Sequence, residues 1–221
     1  MLLVVGGHSR NIGKTSVVAG LVAALSDHDW TAVKITQTGH GVCSEAGTPC
    51  DCSVEYEHPF ALSEETDIRS GADSARYLAA GARRAFWLRT PMGGLGDALP
   101  ALRSLLDSSR HAILESNSIL QFLKPDLYLV VMDYGTKDFK DSALRYLDRA
   151  DAAIIVKGKS WRPVWRGVSP RLWEDKPRFV VRPPHYVTGE IADFVLSRMA
   201  ESGGHKTTAP PGRGSVTEPR P

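Results

Sequence analysis

Gly6-Gly7-His8-Ser9-Arg10-Asn11-Ile12-Gly13-Lys14-Thr15-Ser16 brings together the residue types that hold a polyphosphate. The apolar run Leu2–Val5 leads into it and an Ala-, Leu- and Val-rich stretch follows, so the segment reads as strand, loop and helix. In that setting successive backbone N–H groups curl round phosphate oxygens, and the amino end of the helix adds its partial positive charge. Gly13 lets the backbone come close, Lys14 bridges the terminal phosphates and the Thr15 hydroxyl is the natural Mg²⁺ ligand. The expected cofactor-binding residues are Gly7, His8, Ser9, Arg10, Asn11, Ile12, Gly13, Lys14, Thr15 and Ser16, with Lys14 facing solvent until phosphate arrives. The bland alternative is a chance Gly-Lys-Thr at the start of a helix. The common spacing puts a glycine where His8 stands, and Gly7 instead gives a loop one residue longer.

Glu115 closes the apolar run Ala112–Glu115, a place from which a carboxylate holds Mg²⁺ or its water together with Thr15. Otherwise it caps the next segment. Asp73 starts a helix, where the dipole alone favours an acid. Asp133 and the loop Tyr134–Lys140 read as a solvated turn, or as a loop facing the γ-phosphate or a second substrate at the carboxyl ends of the strands. Guanine-specific proteins carry Asn-Lys-x-Asp after a late strand, whereas this chain has Val156-Lys-Gly-Lys-Ser160, so GTP and ATP both stay open. Trp161, Trp165 and Trp173, with Arg166 and Arg171, read as a packed loop or as a base-stacking lid.

All three cysteines, Cys43, Cys50 and Cys52, fall within ten residues, and His58 follows. Three thiols and an imidazole make a tetrahedral Zn²⁺ ligand set, with His40 as a spare. The spacing is irregular and no Cys-x-x-Cys knuckle is present, so unrelated cysteines in one loop are the alternative. A metal there would pin an insertion at about 38–70 that is otherwise too polar to order itself.

The elements that must position these residues follow from apolar patterning. Strands are expected at Leu2–Val5, Thr31–Ile35, Ala85–Leu88, Ala112–Glu115, Leu127–Met132, Ala152–Val156 and Arg178–Val181. Helices are expected at Lys14–Leu25, Ala72–Ala82, Gly96–Leu106, Ser142–Leu147 and Gly189–Ala200. The alternation predicts an α/β fold, three-layer and doubly wound on a mostly parallel sheet, of the P-loop NTPase class. At 221 residues and 42% hydrophobic, one domain over 1–200 is expected, followed by a tail, 201–221, without apolar periodicity that reads as disordered. A net charge of +2, from 27 basic and 25 acidic residues, makes no field that draws in nucleic acid or an anionic membrane. No apolar run approaches the roughly 20 residues that cross a bilayer, and Met1–Val5 is no signal peptide. A cytoplasmic protein with free or metal-bound thiols is the expectation.

Five residues separate Gly7 from Gly13, which resembles the phosphate loop of the dethiobiotin synthetase family. Lys34-Ile-Thr-Gln-Thr-Gly39 is similar to that family's Lys-Pro-Val-Gln-Thr-Gly segment, whose lysine reaches the substrate and the transferred phosphate, and Glu115 matches its acidic residue beside the metal. Where that family has a Gly-rich stretch after the acid, this chain has Ser116-Asn-Ser-Ile119. Gly71-Ala-Asp-Ser-Ala-Arg-Tyr-Leu-Ala-Ala-Gly-Ala82 resembles the Gly-Lys-Asp-Ser-x-Arg-x-x-x-Ala-Gly-Ala segment of the molybdopterin-guanine dinucleotide biosynthesis B proteins, small GTP-binding accessories of molybdenum cofactor assembly. The resemblances cover roughly the first 120 residues. They imply Mg-dependent binding and hydrolysis of a nucleoside triphosphate, with Lys14, Lys34 and Glu115 as the catalytic set. The first expectation is an accessory protein with a protein client in molybdenum cofactor biosynthesis. An ATP-dependent ligase like dethiobiotin synthetase is the alternative. A third is a metal-binding switch resembling the metal-insertion GTPases, which also carry Cys-rich loops after an early strand. The sequence leaves the oligomeric state open, a homodimer included.

Overall fold

Leu2–Gly7 (β1) is buried on both faces, as a central parallel strand must be. The structure is a computed structural model that describes residues 1–39, 59–158 and 160–204. The other strands are Trp30–Thr38 (β2), Ala61–Glu64 (β3), Arg84–Pro91 (β4), His111–Glu115 (β5), Leu127–Asp133 (β6), Ala152–Val156 (β7) and Arg178–Val181 (β8). They form one eight-stranded sheet in the order β3-β4-β2-β5-β1-β6-β7-β8. Every neighbouring pair is parallel except β3, which runs antiparallel on β4.

The described helices are Lys14–Ala24 (α1), Asp73–Ala79 (α2), Leu99–Asp107 (α3), Asp141–Leu144 (α4) and Gly189–Gly204 (α5). Successive β1 side chains alternate between two cores. Leu3 and Val5 pack with Val17 and Leu21 of α1, Tyr77 of α2 and Ile191 and Val195 of α5. Val4 faces the other way, toward Leu102 and Leu105 of α3, Ile119 and the indoles of Trp165 and Trp173. A sheet between two apolar layers is the three-layer α/β architecture expected from the alternation of elements. Among the described residues no helix is long and apolar enough to cross a membrane.

All seven expected strands form. β3 was not anticipated: only four residues long, it falls inside the expected 38–70 insertion and pairs Ala61 with Arg89 and Glu64 with Phe86. Expected helix ends move for local reasons. α2 stops at Ala79 instead of Ala82 because Gly81 turns to φ 100°, while the Gly81 and Ala82 N–H groups return to the carbonyls of Leu78 and Tyr77. α3 begins at Leu99, with Pro100 in its first turn, and the preceding Gly94–Gly96 makes a separate 3₁₀ turn. α4 is one turn, Asp141–Leu144, and Leu147–Arg149 forms another 3₁₀ turn. Cys43, Cys50, Cys52 and His58, with His40, lie outside the described residues, as does the tail from residue 205 onward.

Candidate nucleotide site

The parallel register fixes the site. β5 lies between β1 and β2, with Glu115 beside Val5 on one side and Lys34 on the other. An acid and a base from two strands therefore meet next to the loop that leaves β1. The loop turns twice through left-handed backbone, at Asn11 (φ 57°) and Gly13 (φ 94°), and then enters α1. Lys14, Thr15 and Ser16 form the first turn of α1, whose N–H groups have no carbonyl one turn earlier to meet. That concave end of a helix attracts anions.

Gly7 is held from outside the loop. Its N–H donates to Asn117 Oδ1 at 2.8 Å, and the Asn117 amide donates to the Gly7 carbonyl at 2.9 Å. A side chain at Gly6 would overlap this clamp, since a Cβ would stand 2.3 Å from Asn117 Oδ1.

Glu115 is 3% exposed and has three donors. Thr15 Oγ1 donates to Oε2 at 2.7 Å, the Tyr77 hydroxyl donates to the same oxygen, and Lys34 Nζ reaches Oε1 at 2.5 Å. Burial, then the Glu115 charge, push the Tyr77 hydroxyl well above its ordinary range and keep it a donor. Lys34 Nζ also pairs with Asp73 Oδ2 at 2.9 Å and stands 3.3 Å from Thr15 Oγ1. Mg²⁺ takes hard oxygen donors and keeps several waters. The Thr15 hydroxyl and the Glu115 carboxylate supply such donors, and an ammonium already sits where positive charge is favoured, so these residues fit the ion.

Lys14 departs from the expected solvent-facing pose. Its Nζ donates to the Ser9 carbonyl at 2.6 Å, and burial lowers the ammonium to about 8, with Glu115 opposing the shift and Lys140 and Lys34 adding to it. A cavity of about 890 Å³ opens over this group. Arg10, Asn11, Gly13, Lys14, Thr15 and Ser16 of the expected loop residues line it, as do Lys34 and Glu115. Gly7, His8, Ser9 and Ile12 are buried, and His8 and Ser9 carry their side chains to the loop after β6. A cavity of about 540 Å³ between Asp126, Tyr128 and Asp151 lies at the opposite, amino ends of the strands and contains none of the loop residues.

Several residues in or behind the site were given no role in the sequence reading. Tyr77 lies four residues after Asp73, one turn along α2, and that spacing is a signal that both share a face. Arg76 Nη2 donates to Ser16 Oγ at 3.0 Å. Tyr186 covers Gly13 so closely that a Cβ there would meet its ring at 2.2 Å. Lys140 reaches the cavity from the end of the Tyr134–Lys140 loop, which the sequence offered as a turn or as a loop facing a phosphate or a second substrate. Asp133 is a turn residue, accepting the Gly135 N–H at 2.9 Å and the Thr136 hydroxyl at 3.0 Å. Trp165 and Trp173 are buried packing residues, whereas Trp161 is exposed under the Lys157 ammonium, 3.4 Å from its ring centroid. Among the described residues no group of three or more His, Cys, Asp or Glu is placed to hold a metal ion.

A strand, a glycine-containing loop, a helix, and an acid at the end of the adjacent strand define the P-loop NTPase fold. The chain shares that fold with HypB from Helicobacter pylori, solved in complex with nickel, at 18% identity and a TM-score of 0.53 over 90% of this chain and 87% of that one. LpxK from Aquifex aeolicus, solved in complex with ATP, is also similar, at 18% identity and a TM-score of 0.46 over 81% of this chain and 53% of that one. No protein-family model matches the chain, and no curated protein does.

Proposed function

We propose that this chain binds a Mg-nucleoside triphosphate over Lys14 and hydrolyses it, serving as an accessory protein of cofactor assembly of the molybdopterin-guanine dinucleotide type. The observation that carries this reading is the convergence of α2 on the phosphate loop. The segment similar to that family's delivers Asp73 and Tyr77 to the Lys34–Glu115 pair and Arg76 to Ser16.

In this reading Lys14 exchanges the Ser9 carbonyl for phosphate oxygens, and Lys34 leaves Glu115 for the terminal phosphate. Thr15 and Glu115 would hold Mg²⁺ or its water, with Tyr77 keeping the carboxylate in place. The ion, when bound, would neutralise charge on the phosphate oxygens. Catalysis of this kind is positioning and electrostatic stabilisation, which the fixed charges of the cavity are suited to provide.

A metal-delivery NTPase is the second reading. It is favoured by Cys43, Cys50 and Cys52 following β2 and by the fold likeness to HypB, a nickel-bound protein. Phosphate release from GTP and ATP tests the shared part: Lys14→Ala should remove nucleotide binding and leave the circular dichroism spectrum unchanged. Unaltered affinity in that variant would refute the site. Slow turnover accelerated by a protein client supports the accessory role, whereas acceleration by a small carboxylate substrate supports a ligase. Metal analysis before and after Cys50→Ser with Cys52→Ser tests the second reading, which fails if stoichiometric metal is retained.

A further inference from the structure

His8 occupies a position where phosphate loops commonly carry glycine, and its imidazole is fully buried behind the loop. Nε2 accepts the Asp133 N–H at 3.0 Å, which leaves the proton on Nδ1, 2.8 Å from the Asp138 carbonyl. The ring stacks on Phe139 at 5.0 Å between centroids and tilts against Trp165 at 4.7 Å. Two further bonds join the same partners: Ser9 Oγ donates to Asp138 Oδ2 at 2.6 Å, and the Lys140 N–H donates to the His8 carbonyl at 2.8 Å. The loop after β6 is thus fastened to the phosphate loop at both its ends, and its last residue, Lys140, lines the cavity.

Lys140 enters a crowded field of like charge. Burial lowers its ammonium from the ordinary range, Arg10 and Lys34 add to the shift, Asp138 and Glu115 oppose it, and Lys140 in turn acts on Lys14. Asp138, the acid in its own loop, accepts the Ser9 hydroxyl, which fixes its carboxylate without neutralising it. Asp73 and Glu115 are already paired with Lys34. The cavity lining carries Arg10, Lys14, Lys34, Arg76 and Lys140 against Asp73, Glu115 and Asp141, and such an excess of positive charge favours an anion.

We infer that Lys140 is a ligand of the terminal phosphate, and that His8 is the positioning residue which latches the Lys140 loop to the phosphate loop. This rests on the cavity being a nucleoside triphosphate site. The pairing ties the charge that meets the outermost phosphate to the backbone that cradles the inner ones, so the two move as one body. A nucleoside diphosphate lacks the group Lys140 would hold, and the protein should therefore distinguish the two nucleotides at this residue.

The test is equilibrium binding of mant-GTP, mant-GDP, mant-ATP and mant-ADP with Mg²⁺. Lys140→Ala should weaken the better triphosphate about tenfold and its diphosphate by less than about twofold, as loss of one charge-assisted contact to the end phosphate requires. Lys137→Ala removes the same charge from an exposed position of the same loop and should change neither. His8→Phe keeps an aromatic ring against Phe139 and Trp165 but loses both imidazole hydrogen bonds. Ser9→Ala is the milder cut of the same tether. Either should reproduce the triphosphate-selective loss, and combining it with Lys140→Ala should add little, because all three act through one contact. Equal losses for tri- and diphosphate, no loss in Lys140→Ala, or full additivity of the tether and Lys140 variants overturns the inference. If wild-type protein binds neither nucleotide class, or Lys14→Ala binds as wild type does, the phosphate-site reading fails and takes this inference with it. Normal wild-type binding with an indifferent Lys140→Ala overturns this inference and leaves the phosphate-site reading standing.

Discussion

Glu115 accepts from a threonine, a tyrosine and a lysine in a space that water barely enters. A buried carboxylate so supplied is stable at rest, and a triphosphate must offer its partners something better. Lys14 shows the same economy, because among the described residues its half-buried ammonium donates to a loop carbonyl until phosphate comes. Burial lowers it to about 8, and bound phosphate favours the charged form, so the bound lysine titrates higher. Binding then takes up a proton above that pH. Nucleotide affinity should be steady below about 8 and fall above it by up to about tenfold per pH unit. Fluorescence titrations between neutral and alkaline pH check this.

The elements supply geometry that no single residue carries. The turn from β1 into α1 needs Gly13 twice over: for its φ of 94° and for the Tyr186 ring that a Cβ would meet at 2.2 Å. Gly13→Ala is expected to cost roughly 1–2 kcal/mol in backbone strain alone and to displace Tyr186. Thermal melts and nucleotide titration should both register the loss, and Tyr186→Ala should recover only the part due to the ring. The course of the central strands was legible in the sequence because Leu2–Val5, Ala112–Glu115 and Leu127–Met132 are unbroken apolar runs, as strands buried on both faces require. β3 was not legible, because its four residues gain their place from pairing with β4 and not from a pattern of their own. Glu115, Lys34 and Thr15 could be found from strand ends and the phosphate-loop motif. Tyr77 and Asn117 could not be read in the same way: they arrive from α2 and the segment after β5, and only the fold brings them beside Lys140, whose loop the sequence left open as a turn or a site-facing segment.

At the scale of the whole molecule, the two ends of the sheet respond to acid and base differently. The phosphate end holds lysines, while the amino end holds His111, packed against Trp30 at 5.7 Å and His28 at 5.9 Å between ring centroids. Burial, followed by repulsion from the Met1 amine, Arg110 and His28, lowers His111 to about 4 from an ordinary 6.5. The unfolded chain therefore binds the proton first as pH falls. The favourable contribution of neutral His111 is complete above 6.5 and declines as pH drops toward 4, which acid denaturation followed by tryptophan fluorescence should show. His111→Gln should make that decline shallower.

Lys34, clasped between Asp73 and Glu115, gives the resting molecule a built-in stand-in for a divalent cation. It leaves little reason for bare Mg²⁺ to dock, so admission depends on the order of arrival: a polyphosphate must first lure the ammonium aside. Calorimetry with magnesium chloride alone should detect no uptake by the wild type, and Lys34→Ala should turn this indifferent seat into one that takes the ion without nucleotide.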